Sequence, residues 1–276
     1  MSFLTRTLLA ASTAIVLAST LAMTQAQDRP RSLVALLAHA DDETAALPVL
    51  ARYAREGVKV HLIIAADGSA GSGTGTYLTR PDSGPTGAEL AKVRSEEARC
   101  SATAVGAQPP VLLGFPDGKL GDYLSDRGLV YQLTDRIAKE LERLRPDVVI
   151  TWGPDGGTGH PDHRIVGNIA TQLLRAGAPG MPHRLFYMYL PVESFRMANP
   201  QRGAPPLLLP EAKHFTVRVP FSPADLDASL KATACHRTQI APEMLQRMQA
   251  RIGGVLKGAV AFIPASPGLQ GNDLFR

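Results

Sequence analysis

Two short segments far apart in the chain, His39-Ala40-Asp41-Asp42 and His160-Pro161-Asp162-His163, place imidazoles and carboxylates at spacings that suit a metal site. Zinc hydrolases hold their ion with three ligands drawn from His, Asp and Glu and keep the fourth position for water. His39 and Asp42 stand three residues apart where a strand should turn into a helix, so both can face one ion, and His163 completes the set. Each segment alone also reads more plainly. Asp42 and Glu43 are acids suited to a helix start, and His-Pro-Asp-His suits an N-cap followed by Pro at the first helical position. Two such accidents at equivalent strand ends explain less than one site for metal-assisted hydrolysis.

The elements that must position these residues follow from hydropathy. Strands are expected over Leu33–Leu37, Val58–Ala65, Val111–Leu113, Asp147–Trp152 and Arg184–Leu190. Helices with apolar residues at three- and four-residue spacing are expected over Glu43–Glu56, Ala88–Val105, Leu129–Leu144 and Pro161–Arg175. The alternation implies an α/β fold, a mostly parallel sheet covered by helices. In such sheets ligands bind beyond the carboxyl ends of the strands, where both His segments fall. The last third is less regular. A Pro- and Leu-rich surface loop is expected over Asn199–Pro210, a strand over His214–Val219 and a helix over Pro223–Cys235, as a C-terminal extension of the same domain.

Residues Met1–Ala26 read as a secretory signal: Arg6, an apolar stretch from Leu8 to Ala22, then Thr24-Gln25-Ala26. The alternative is an uncleaved anchor. The expected organisation is therefore a signal over residues 1–26 and one domain over residues 27–276, periplasmic or secreted, with no stable membrane insertion once the signal is removed. The formal charge of +4 is small and its acids and bases are mixed along the chain, which argues against a nucleic-acid partner. Cys100 and Cys235 would meet an oxidising compartment, so a disulfide or two buried thiols are both open. The long loop Asp67–Pro85 contains Gly71-Ser72-Gly73-Thr74-Gly75, but no helix follows at once and Pro81 and Pro85 intervene, so a dinucleotide site is rejected. The edge of an active site, or plain flexibility, fits that loop.

Leu36-Leu37-Ala38-His39-Ala40-Asp41-Asp42-Glu43, Arg94-Ser95-Glu96-Glu97, Phe115-Pro116-Asp117-Gly118 and Gly159-His160-Pro161-Asp162-His163 together resemble the PIG-L (LmbE-like) zinc-dependent N-acetylglucosaminyl deacetylases. The likeness runs from about Leu33 to Arg175, and more weakly to His236-Arg237-Thr238-Gln239. It implies a Rossmann-like, mostly parallel twisted sheet with helices on both faces. It also implies zinc as cofactor and an N-acetylglucosamine-containing or related small amino-sugar substrate.

Carried over by position, the resemblance makes His39, Asp42 and His163 the zinc ligands and Asp41 the general base for the attacking water. It gives His160 to the oxyanion, with Asp162 orienting its ring, and leaves the leaving amine to be protonated by Asp41 or His160. Arg94 and Asp117 resemble sugar-hydroxyl contacts; a structural ion pair or turn is the alternative for each. Ala40 departs from the family's usual Pro. His61, His183 and His214 read as surface or core residues, His236 as a helix C-terminal cap before a pocket rim, and Trp152 as core before a sugar-stacking face. A zinc amidase for a non-sugar acyl amide and a catalytically silent zinc or glycan binder are the competing functions.

Overall fold

Strand β1 (Ser32–Leu37) is buried along its whole length, as the centre of a sheet covered on both faces requires. The computed structural model describes residues 29–70, 85–122, 126–190 and 210–276. The expected signal, most of the Asp67–Pro85 loop with its Gly71–Gly75 run, and residues 199–209 of the expected Pro- and Leu-rich loop lie outside them. Ser32–Arg276 forms one compact unit and holds every element named here.

The sheet has seven strands in the order β3-β2-β1-β4-β5-β7-β6. β2 (Lys59–Ala66), β1, β3 (Val111–Phe115), β4 (Val148–Trp152) and β5 (Leu185–Met188) run parallel. β7 (Ala259–Pro264) and β6 (Val217–Pro220) add an antiparallel edge. The chain order reverses between β1 and β4, and sheets of this kind open a crevice at such a point beyond the carboxyl ends.

Alternate residues of β1 serve opposite faces. Leu33, Ala35 and Leu37 pack with Leu47, Val49 and Leu50 of α1 (Leu47–Arg55), Ala98 and Ala102 of α2 (Gly87–Ala104), and Ala232 of α5 (Pro223–Thr233). Val34 and Leu36 pack with Leu133, Ile137 and Leu141 of α3 (Arg127–Leu144) and with Val166, Ile169 and Ala170 of α4 (Pro161–Arg175).

Two expectations need correction. Instead of one helix over Glu43–Glu56, a 3-10 turn over Asp42–Ala45 is followed by α1, with the break at Ala46 (φ −132°). Pro48 explains it: with no N–H to donate to the Thr44 carbonyl and a ring that crowds that carbonyl, proline is tolerated only in the first turn, so the α-helix starts afresh. The last third is also more regular than its sequence suggests, since α6 (Pro242–Leu256) and β7 were not expected. Gly253 and Gly254 weaken the helical signal of α6.

Candidate active site

β1 ends at Leu37, and the chain then delivers His39 and Asp42 to the crevice through a turn in which Asp41 adopts φ 103°. That left-handed backbone in a non-glycine residue costs on the order of 1–3 kcal/mol and persists only where surrounding contacts enforce it. From the other side of the seam, β4 ends at Trp152 and the following loop leads to His160, the N-cap of α4, and to His163 on its first turn.

Three donor atoms converge. His39 Nδ1 lies 3.1 Å from His163 Nε2, His163 Nε2 lies 3.0 Å from Asp42 Oδ1, and His39 Nδ1 lies 3.9 Å from Asp42 Oδ1. The outer atoms fix what the inner ones present. His39 Nε2 faces the carboxylates of Asp117 at 3.1 Å and Asp162 at 3.2 Å. His163 Nδ1 meets the Gly156 carbonyl at 3.1 Å and the Thr158 hydroxyl at 3.0 Å. Carboxylates and carbonyls only accept, so both outer nitrogens are assigned the hydrogen, and in the neutral rings both inner nitrogens present lone pairs. Asp42 Oδ2 accepts the N–H groups of Ala38 at 2.8 Å and His39 at 2.9 Å, which aims Oδ1 at the same point.

With both rings neutral, three lone pairs converge on one point, an arrangement that suits a cation. Bonds of ~2.0–2.2 Å at tetrahedral angles place donors roughly 3.3–3.6 Å apart; two sides of this triangle are shorter than that and one is longer, and its donors are of the His and carboxylate types zinc prefers. Partners on the far side of each ligand are what fix ring tautomer and orientation in metal sites. Trp152, buried, stacks face to face on the His163 ring at 4.6 Å and 5°. Its burial removes the sugar-stacking alternative.

The electrostatics are uneven. Burial opposes charge on His39, but its hydrogen bonds to Asp117 and Asp162 and the nearby Asp42 outweigh it and hold its pKa well above the usual value. Burial, reinforced by Asp42, raises Asp41 to about 7. Burial, together with the neighbouring His39 and His163, lowers His160 to about 4.

Asp162 differs from expectation. Its carboxylate does not orient His160; it accepts from Gly118 N–H at 2.9 Å and Gly121 N–H at 3.2 Å besides facing His39. The backbone N–H of Asp162 instead donates to His160 Nδ1 at 3.1 Å, as an N-cap bond. Capping and site chemistry therefore share one ring. Arg94 and Asp117 pair at 3.5 Å, both buried, and Arg94 also donates to the Gly68 carbonyl at 3.0 Å. With Asp117 facing His39 as well, the ion-pair alternative describes them better than free sugar contacts.

His236 is not a helix cap. It is fully buried and its Nε2 lies 2.7 Å from Glu43 Oε1. Ser101, which the sequence did not single out, and Gln239, the last residue of the weakly matching His236–Gln239 segment, also reach this turn: Ser101 Oγ donates to Glu43 Oε1 at 2.6 Å and Gln239 Nε2 donates to the Ala40 carbonyl at 2.6 Å. Cys100 and Cys235 form a disulfide.

The GlcNAc-PI de-N-acetylase (PIG-L) family matches residues 34–174, a span holding both His segments. This chain belongs to the PIG-L family. The PIG-L chain is thereby an N-deacetylase-class hydrolase. It is 29% identical over 256 residues to the 1D-myo-inositol 2-acetamido-2-deoxy-alpha-D-glucopyranoside deacetylase 2 of Catenulispora acidiphila, covering 79% of this chain and 83% of that one. Its fold resembles the N,N'-diacetylchitobiose deacetylase of Pyrococcus horikoshii (TM-score 0.59, 18% identity, 86% and 84% covered). It equally resembles the 4-carboxy-2-hydroxymuconate hydratase of Pseudomonas putida (TM-score 0.57, 16% identity, 88% and 99% covered), so fold alone does not select the reaction.

Proposed function

We propose that this PIG-L protein is an exported zinc-dependent hydrolase that removes the N-acetyl group from an N-acetylglucosamine-containing or related amino sugar. The observation that carries the reading is the convergence of His39 Nδ1, Asp42 Oδ1 and His163 Nε2 on one point, with Asp41 adjacent in the chain to Asp42. The acetamido-sugar deacetylase names of its relatives support the substrate class. The Met1–Ala26 segment and the Cys100–Cys235 disulfide support export to an oxidising compartment.

These three donors would hold the ion, which when bound supplies a water acidified from ~15.7 to about 7 and a Lewis acid at the amide carbonyl. Asp41 takes the proton of the attacking water. Burial raises Asp41 above the usual carboxylate range, so it is a stronger base than a free carboxylate and can return the proton it takes, which suits a general base that later acts as acid. His160 is neutral, and because its Nδ1 accepts from Asp162 N–H, its hydrogen sits on Nε2. That N–H is a donor for the carbonyl oxygen as it gains charge, an interaction whose removal costs ~10²–10³ in turnover. A neutral imidazole that gave up this hydrogen would become an anion, so Asp41 is assigned the proton for the leaving amine.

The test is acetate release by zinc-loaded protein across a panel of N-acetylglucosamine conjugates. Release abolished by chelation and restored by zinc is expected. No release from any sugar, with release from acylated non-sugar amides, would move the substrate class.

A further inference from the structure

We propose that Glu43 is a positioning residue for Asp41 and that the Cys100–Cys235 disulfide is the clamp that keeps Glu43 in place. The proposal rests on Asp41 as the base. Asp41 has the left-handed backbone described above, and the contact closest to that strain is its own N–H, which donates to Glu43 Oε2 at 3.0 Å. Glu43 is fully buried and takes no part in the donor triangle. Its other oxygen accepts from Ser101 Oγ at 2.6 Å and faces His236 Nε2 at 2.7 Å. The carboxylate thus stands between three donors, one belonging to the base and two belonging to distant parts of the chain.

Those two distant donors are the chain neighbours of the two cysteines. Ser101 follows Cys100 on α2, and His236 follows Cys235 just after α5. The cross-link holds the Cα atoms of Cys100 and Cys235 5.8 Å apart, which fixes the two backbones from which Ser101 and His236 reach Glu43. The same turn carries Gln239, whose amide holds the Ala40 carbonyl on the other side of the Asp41 peptide. Thr238 N–H and Oγ1 donate to Glu97 at 2.8 and 2.7 Å, so opening the disulfide loosens this turn without releasing it. Near-attack geometry is demanding: displacing a catalytic group by about 1 Å can lower turnover ~10²-fold.

The experiment compares zinc-loaded wild type, Glu43→Gln, and the double variant Cys100→Ser with Cys235→Ser. Hydrogen–deuterium exchange by mass spectrometry is read on peptides covering Ala38–Ala46, and kcat and KM on any N-acetylglucosamine conjugate the wild type hydrolyses. The Glu43→Gln change keeps the shape of the side chain but turns an N–H₂ group toward a donor. Both variants should exchange Ala38–Ala46 at least about tenfold faster with β1 and β4 unchanged, as for a local opening. Their kcat should fall ~10–100-fold with KM and bound zinc near wild type. Unchanged exchange and kcat in folded Glu43→Gln would overturn the positioning role. The same result in the double variant, or acceleration spread evenly over the domain with kcat unchanged, would overturn the clamp. If the double variant does not fold, wild type reduced by a phosphine and alkylated at both thiols takes its place. If wild type hydrolyses no conjugate, the amino-sugar reading fails, and exchange alone decides this proposal.

Discussion

Replacing Asp162 by Asn separates two roles for one buried carboxylate. Its Oδ2 faces His39 Nε2 at 3.2 Å and accepts Gly118 N–H at 2.9 Å, while Oδ1 accepts Gly121 N–H at 3.2 Å. Asn keeps one accepting oxygen. Turned toward His39 and Gly118, it points its N–H₂ at the Gly121 N–H, leaving a buried donor unmet at about 1–3 kcal/mol. It also removes the negative charge that, with Asp117, makes the His39 ring a strong donor. Losing such an outer partner typically lowers metal affinity ~10–100-fold, or about 1.4–2.8 kcal/mol. Zinc affinity, measured by competition with a chromophoric chelator, should therefore fall in Asp162→Asn. It should fall by more than the sum of the single effects when Asp117→Asn is added, because His39 Nε2–H then loses both carboxylates. A variant with unaltered zinc affinity and lowered kcat would refute this assignment and return Asp162 to the service of His160.

Asp41→Asn should retain wild-type zinc, measured by metal analysis, and lose ~10²–10⁴ in acetate release. Since burial and Asp42 lift Asp41 to about 7, its ionised, proton-accepting form grows as pH rises through that value. A bound divalent cation nearby favours the ionised form, so the acid limb of kcat/KM in the loaded enzyme should lie below 7. Asp225 gives a stability counterpart: against burial, Arg55 and Ser222 lower its pKa from 3.8 to about 2. Its contribution is present above 3.8 and lost as pH falls toward 2; in Asp225→Asn, acid titration of unfolding should lose that slope. Gly157→Ala would place a Cβ 2.5 Å from the Trp152 ring at φ +64°. The expected loss is about 1–3 kcal/mol of stability with weaker zinc retention, read by thermal unfolding and metal analysis.

The parallel core was legible because its strands are short apolar runs separated by amphipathic helices. α4 was placed to the residue, since Pro161 marks its start so sharply. Asp42 and His163 could be paired from sequence because both lie at ends of strands that a doubly wound sheet brings together. The partners were not legible. Asp162 is a carboxylate in a His motif, and nothing local says that its side chain turns back to His39 while its amide serves His160. His236 and Glu43 are 193 residues apart, and their pairing depends on how α5 lies against the turn after β1. Pro48 was a readable signal for the break at Ala46. The antiparallel β7 joins the sheet late in the chain and out of order, which short-range patterning does not encode.

The donor triangle spans the seam between β1 and β4, strands that register over only Leu33↔Val148, Val34↔Val149 and Ala35↔Ile150. His39 and His163 are 124 residues apart, so no partly folded segment offers all three donors at once. Coordination by all three donors, as proposed, therefore requires the seam between β1 and β4 to be formed. It also ties the ion to the whole domain, because every zinc ion bound to the native state and not to the unfolded chain adds to the free energy of global unfolding. Chelation should then lower the stability of both halves of the sheet together, not loosen one loop.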